Sequence, residues 1–432
     1  MKVHARGAPR EGRPGPERDL PADPAKGAQL PRLLGIAAAA LGAYVLVVVA
    51  LEYVFGVKAI GYFFFDLSDI QLYYEYAAAL ARGGRPYVDV KLEYPPLVVP
   101  LLALAGPADD IAPYAWRFAH VMFAFGGGAA LVTAAAAARI WETGRRPYVS
   151  AAGFAVAVGA TGAIIANRYD AAVALVLGAT VLLLVHRWCW AAAIALGLGF
   201  ALKLVPAILL PLVLLLAPSP RAALRAGVAF AAAAAAPFLP YVPEGITGLA
   251  GVFAYHRLRP LQVESVLATP IWIARLLGAV DLRIDNDFGS QNVVAPGADA
   301  IAGLSGILGL AALASTYALI WRRRARIREC PSLVPLAVTS VLLAFIAFGK
   351  VLSPQFLIWL LPTVALLLPE RRALGALLLG ALVLTQIEFP ANYFRFIALD
   401  PAAIGCVVAR NLILLAAFGL SLVELRRIPA EA

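Results

Sequence analysis

Asp69 precedes Ile70, Tyr73, Ala77 and Leu80, whose i, i+3, i+7, i+10 spacing predicts an amphipathic helix from about Asp69 to Arg82, stopped by Gly83 and Gly84. Ser68 and Gln71 have the spacing of a capping box at its start. A helix dipole favours the ionised form of an acid in the first turn. An ionised carboxylate can take the proton of an attacking hydroxyl as a general base. It can also do no more than complement the dipole, and both readings stand here. Glu93, 24 residues further on, is a second candidate carboxylate or a solvated loop acid, with Asp66 and Asp89 behind it. Pro95 and Pro96 suit the first turn of a short helix over 95–105.

The candidate anion site draws on cations. Arg257 and Arg259 stand beside His256, Gln262 and Glu264, and a guanidinium offers phosphate a bidentate fork. The bland alternative for this stretch is a wet loop. Lys203 and Lys350 are each flanked by long apolar runs, and Arg117, Arg168, Asp170, Glu388 and Arg395 fall near predicted ends of apolar segments. Ionisable groups so placed are costly in lipid and usually face a cavity or a partner. Arg168 and Asp170 also suit exposure in a very short turn. Asp285 and Asp287 form a D-x-D in a polar loop, a weak metal signal. The four histidines show no zinc spacing, and Cys189, Cys330 and Cys406 form neither a paired framework nor a CxxC motif. No metal or resident cofactor is assigned, and metal dependence stays open.

The elements that position these residues are set by composition. The 432 residues are 62% apolar and 14% charged, against roughly 45–50% and about 25% in soluble domains. That excludes an ordinary soluble enzyme and a disordered chain. About 20 apolar residues cross a bilayer core. Apolar segments recur from 33 to 425, and the one over 190–217, too long for a single crossing, reads as a hairpin turning at Lys203. The expectation is an all-α polytopic membrane protein with about twelve crossings. It comprises a disordered cytoplasmic tail over 1–32, a membrane domain over 33–427 and a short cytoplasmic tail over 428–432.

With both termini in the cytoplasm, 22 of the 36 Lys and Arg residues fall inside, as the positive-inside rule asks. The formal charge of +10 thereby reads as an orientation signal, and nucleic acid is excluded as a partner. Two long outer regions remain, 57–114 and 243–299, neither able to hold a nucleotide-binding domain. The tyrosine-rich helix after Asp69 suits the membrane interface. An enzyme working there uses lipid-carried substrates at the outer face of the plasma membrane.

Several runs resemble glycosyltransferase family 87. They are Ser68 to Tyr74, Arg85 to Asp89, Glu93 to Pro96, Asn167 to Asp170, Gly199 to Pro206, Leu261 to Ser265, and Lys350 to Gln355. The likeness covers about 60–425, with Pro260 standing where the family pattern has glycine. It implies a GT-C fold and an inverting transfer of mannose or arabinofuranose from a polyprenyl-phosphate sugar, a co-substrate, to a lipid or glycan acceptor. It places the general base at Asp69. Beside it, Glu93 and His256 are further catalytic candidates read from the residues, His256 orienting or relaying a proton. Arg168, Lys203, Arg257, Arg259, Gln262, Glu264, Lys350 and Gln355 are the candidate substrate- and phosphate-binding set. A lipid or small-molecule transporter, and a non-catalytic envelope scaffold, are the readings from other classes.

Overall fold

A computed structural model describes residues 24–56 and 68–429. Asp66, His4 and most of the 1–32 tail lie outside the described residues. Helices run in chain order as α1 (Pro24–Gly56), α2 (Ile70–Ala81), α3 (Val98–Ala103), α4 (Ile111–Ile140), α5 (Arg146–Thr161), α6 (Ile164–Asn167), α7 (Asp170–Val185), α8 (Cys189–Leu202), α9 (Leu210–Leu216), α10 (Pro220–Ala235), α11 (Val242–Leu258) and α12 (Thr269–Leu276). A hairpin of β1 (Arg283–Asp287) and β2 (Ser290–Val294) follows. The chain closes with α13 (Ala298–Glu329), α14 (Val334–Phe348), α15 (Leu361–Leu367), α16 (Arg372–Glu388), α17 (Tyr393–Ile397) and α18 (Pro401–Arg427).

Among the described residues, six helical segments are long and apolar enough to cross a membrane: 30–56, 111–140, 220–255, 298–329, 331–348 and 401–427. Their outer faces stay apolar, with Leu46, Leu224 and Ile307 each at least 66% exposed. Only a lipid solvent accepts such a surface, so the protein is membrane-embedded. The bundle core is α7, α14 and α15, where Val181, Leu342, Leu343, Val364 and Ala365 lose all contact with solvent. Small residues let the helices close up. Gly126 in α4 lies against the Tyr44 ring of α1, where a Cβ would collide with the hydroxyl that donates to Phe123 O.

Several sequence expectations change. α1 begins at Pro24, inside the segment read as tail, because proline suits a first turn and the residues after it can propagate a helix. The stretch 243–258, read as outer loop, is helical. Pro237 and Pro240 tighten 236–241 to a 3₁₀ segment, and Pro243 sits in the first turn of α11, where proline is tolerated. The fold is not wholly α. The loop read over 281–299 contains the hairpin, whose two-residue turn Phe288–Gly289 has positive φ at both positions, 52° and 59°. That turn matches the right-handed twist of paired strands. The capping box does not form: Ser68 Oγ accepts from Ile70 N, but Gln71 turns outward to Glu75, one helical turn on. α3 starts at Val98 rather than Pro95, the two prolines forming the turn ahead of it.

α2, α3, α12, α17, the hairpin and the end of α11 cap one end of the bundle. A small second core of Leu261, Val263, Trp272, Val293, Phe396 and Val407 fastens the hairpin, α12 and α17 onto α18.

Candidate functional site

Between cap and bundle lies a cavity of about 680 Å³. Asp69, Glu93, Arg168, Asp170, Lys203, Arg259, Gln262, Glu264, Lys350 and Gln355 all reach its wall. These residues come from the start of α2, the 93–95 turn, the α6–α7 junction, the break after α8, the 259–265 loop and the turn after α14. The opposite side is apolar, built by Gly306, Gly309, Leu310 and Leu313 of α13 with Phe345 and Phe348 of α14.

Asp69 is the N-cap residue of α2, yet its side chain makes no capping hydrogen bond. Its Oδ2 lies 3.3 Å from Nε of Arg168, and the Tyr73 hydroxyl donates to the same oxygen at 3.4 Å. The carboxylate therefore faces the cavity rather than the helix end, which weakens the purely dipolar reading. Tyr73, Tyr94 and Tyr169 pack ring against ring beneath it, with centroids 5.3–6.0 Å apart. Such a buried aromatic floor excludes water from one side of the acid.

Arg168 and Asp170 are not in an exposed turn: they are 6% and 0% exposed. α6 stops at Asn167, Arg168 is extended, and α7 begins at Asp170. Asp170 Oδ1 accepts from Lys203 Nζ and from Trp359 Nε1, both at 2.6 Å. The Lys203 ammonium also stands over the rings of Tyr169, Phe356 and Trp359 at 4.7–5.4 Å. α8 ends at Leu202 and Lys203 is extended ahead of Val205–Leu209, so the helix does break where the lysine was expected to turn the chain. Neutralised by Asp170, Lys203 is a poor phosphate ligand and a good brace between α7 and α8.

Arg259 and Lys350 differ. Among the described residues neither has an ion-pair partner, and both face the cavity. Arg259 stacks its guanidinium 5.7 Å from the Tyr255 ring. Lys350 Nζ donates to Arg257 O at 2.8 Å. Burial and the nearby Arg259 lower the Lys350 pKa. Burial pushes the Glu93 carboxyl up, the charge on Asp69 adding to it while Tyr255 and Arg259 act in the opposite sense. Glu264 is raised further, by burial and then by the neighbouring Glu388 carboxylate. Arg259 and Lys350, with no carboxylate at ion-pair distance among the described residues, make this part of the cavity a candidate anion site.

Compared with models of known protein families and with curated proteins, the chain matches none.

Besides Lys203, Arg257 is corrected and His256 is left open. Arg257 is exposed and absent from the cavity wall, so its contribution is the carbonyl that holds Lys350. Glu264 reaches the cavity wall beside Gln262, whose amide donates to it. Its backbone carbonyl accepts from Arg410 Nη2 at 2.6 Å. The backbone of His256 lies near the end of α11, and its side chain lies outside the described residues. Asp285 and Asp287 do not converge on a metal: Asp285 pairs with Arg283, and Asp287 accepts from Phe288 N. Among the described residues no group of three or more His, Cys, Asp or Glu side chains could hold one.

Arg410 and Asn411, both wholly buried in α18, were missed. An arginine in the middle of an otherwise apolar span was the signal for them, because such a charge needs a partner.

Proposed function

We propose that the protein is a membrane glycosyltransferase that moves a sugar, mannose, from a polyprenyl-phosphate donor to a hydroxyl of a lipid or glycan acceptor, with inversion. The observation that carries this reading is the make-up of the cavity between cap and bundle. A carboxylate at one point, two cations without carboxylate partners at another and an apolar wall on α13 and α14 suit an acceptor hydroxyl, a phosphate and a lipid chain in turn.

In this reading the acceptor oxygen bonds to the anomeric carbon as the bond from that carbon to the phosphate oxygen breaks. The electron pair leaves with the phosphate, where Arg259 and Lys350 stabilise the developing charge. Asp69 takes the acceptor proton, and Arg168 and Tyr73 hold its carboxylate in place. The twelve apolar rods, counting α8 and α9 as the arms of one hairpin, are read as twelve crossings of a GT-C architecture. Both termini face the cytoplasm and the cavity faces the outer side of the plasma membrane.

The test is transfer of labelled mannose from polyprenyl-phosphomannose by the purified full chain to extracted envelope lipids. A labelled product that depends on Asp69 supports the reading. Donor that stays intact with every acceptor, mannose- or arabinose-linked alike, refutes it.

A further inference from the structure

The 261–265 loop has its backbone tied to four different parts of the molecule: β2, the turn after α14, α12 and α18. Val293 N donates to Leu261 O, Gln262 N to Lys350 O, and Val263 N to Gln291 O, at 2.9–3.1 Å. Trp272 Nε1 donates to Val263 O at 2.8 Å. Arg410 Nη2 donates to Glu264 O, and Asn411 Nδ2 to Ser265 O. A loop held this completely is a rigid platform, and rigid placement is what recognition of small polar groups needs.

Gln262 and Glu264 project from this platform to the cavity wall, 4% and 2% exposed. The Gln262 amide donates to Glu264 Oε2 at 3.0 Å. That bond leaves Gln262 Oε1 buried without a hydrogen-bond donor, while the Glu264 carboxyl also interacts with Glu388 behind it. A buried acceptor without a donor costs about 1–3 kcal/mol, so the pair calls for a ligand that brings donors. Phosphate brings none. Hydroxyl groups do, and the Gln262 N to Lys350 O bond sets this pair beside the proposed phosphate cation.

Behind Glu264, Arg410 Nη1 lies 3.4 Å from Glu388 Oε2 and 3.9 Å from Glu264 Oε1. One buried guanidinium thus faces two buried carboxyl groups and cannot balance both charges. A cluster in which the two acids share one proton is neutral, and Glu264 can then both give and accept hydrogen bonds.

We infer that Gln262 and Glu264 form a hydroxyl-reading subsite for the sugar next to the phosphate, with Arg410, Asn411 and Glu388 as positioning residues. The subsite selects the sugar-charged lipid over the bare lipid phosphate that the transfer releases. This inference rests on the reading of the cavity as a lipid-phosphate sugar site.

The experiment measures binding of polyprenyl-phosphomannose and of polyprenyl phosphate to the full chain in detergent, for wild type, Gln262→Ala and the volume-keeping Gln262→Met. Wild type should prefer the sugar-charged lipid by about tenfold or more. Both variants should bring the two affinities to within about twofold while binding bare polyprenyl phosphate as wild type does, which also shows that they are folded. Preference kept in both variants overturns the inference, as does an equal loss for both lipids or a wild type that binds the two alike. Wild type that binds neither lipid removes the reading of the cavity itself, and the subsite with it.

Discussion

Asp69 and Arg168, 99 positions apart in the chain, meet at 3.3 Å, so the acid that opens α2 is held by the arginine that separates α6 from α7. The contact joins the cap to the bundle and turns a helix-capping acid toward a cavity.

Removing that acid is the most direct check. Asp69→Asn keeps the shape and loses the base. General-base catalysis contributes about 10²–10⁴-fold, so sugar transfer should fall by that order. Binding of polyprenyl phosphate should stay near wild type, because Asp69 makes no bond to phosphate. Transfer rate and lipid affinity measured on one preparation check both halves.

The Lys203–Asp170 pair should behave as a structural brace. Lys203→Met strands a buried carboxylate with Trp359 as its remaining donor. Losing one member of a buried pair costs about 3–5 kcal/mol, whereas replacing both members is often close to neutral. Thermal unfolding in detergent should show a large drop for Lys203→Met and a smaller one for Lys203→Met/Asp170→Asn.

Glu93 supplies a pH signature. Burial holds its carboxyl above the usual range. Below that range folded and unfolded chains both carry the proton, and no difference arises. As pH rises the unfolded chain ionises first, and stability falls until the folded carboxyl also ionises. Glu93→Gln should therefore match wild type in acid and exceed it in Tm at about pH 8. A Tm difference that stays constant with pH would contradict this.

Lys350 tests the anion site. Lys350→Met removes one of the two cations that lack a carboxylate partner. Hydrogen bonds to charged groups contribute about 1.5–3 kcal/mol, so affinity for polyprenyl phosphate should fall by about tenfold or more. The remaining binding should also depend less on salt, as read from titrations at low and high ionic strength.

Gly306 tests the apolar wall. Gly306 lines the cavity and a Cβ there meets no atom within 4 Å, so a larger side chain can be placed without disturbing α13. Gly306→Leu should raise KM for long-chain polyprenyl-phosphate donors and spare short-chain ones. Equal effects on both would place the lipid chain elsewhere.

The membrane class, the position of α2 and the break at Lys203 were legible in the sequence because each depends on local apolar content and spacing. Lys203 and Lys350 stood out as scarce charges beside apolar runs, and Asp69 as an acid in the first turn of an amphipathic helix. The hairpin was not legible. Its strand β1 is mostly exposed, and its pairing depends on Tyr255, whose hydroxyl donates to Phe288 O at the turn. The Arg410 cluster went unread because Glu264, Glu388 and Arg410 lie on three separate segments of the chain.

The sequence by itself determined where charge would be expensive, since the cost of a charge in an apolar run needs no knowledge of neighbours. The tertiary structure alone decided which charges are neutralised. Lys203 and Arg168 found carboxylates across the bundle, and Arg259 and Lys350 did not. A local pattern carries no record of that pairing, because ion pairs act over a few ångströms in space between residues far apart in the chain.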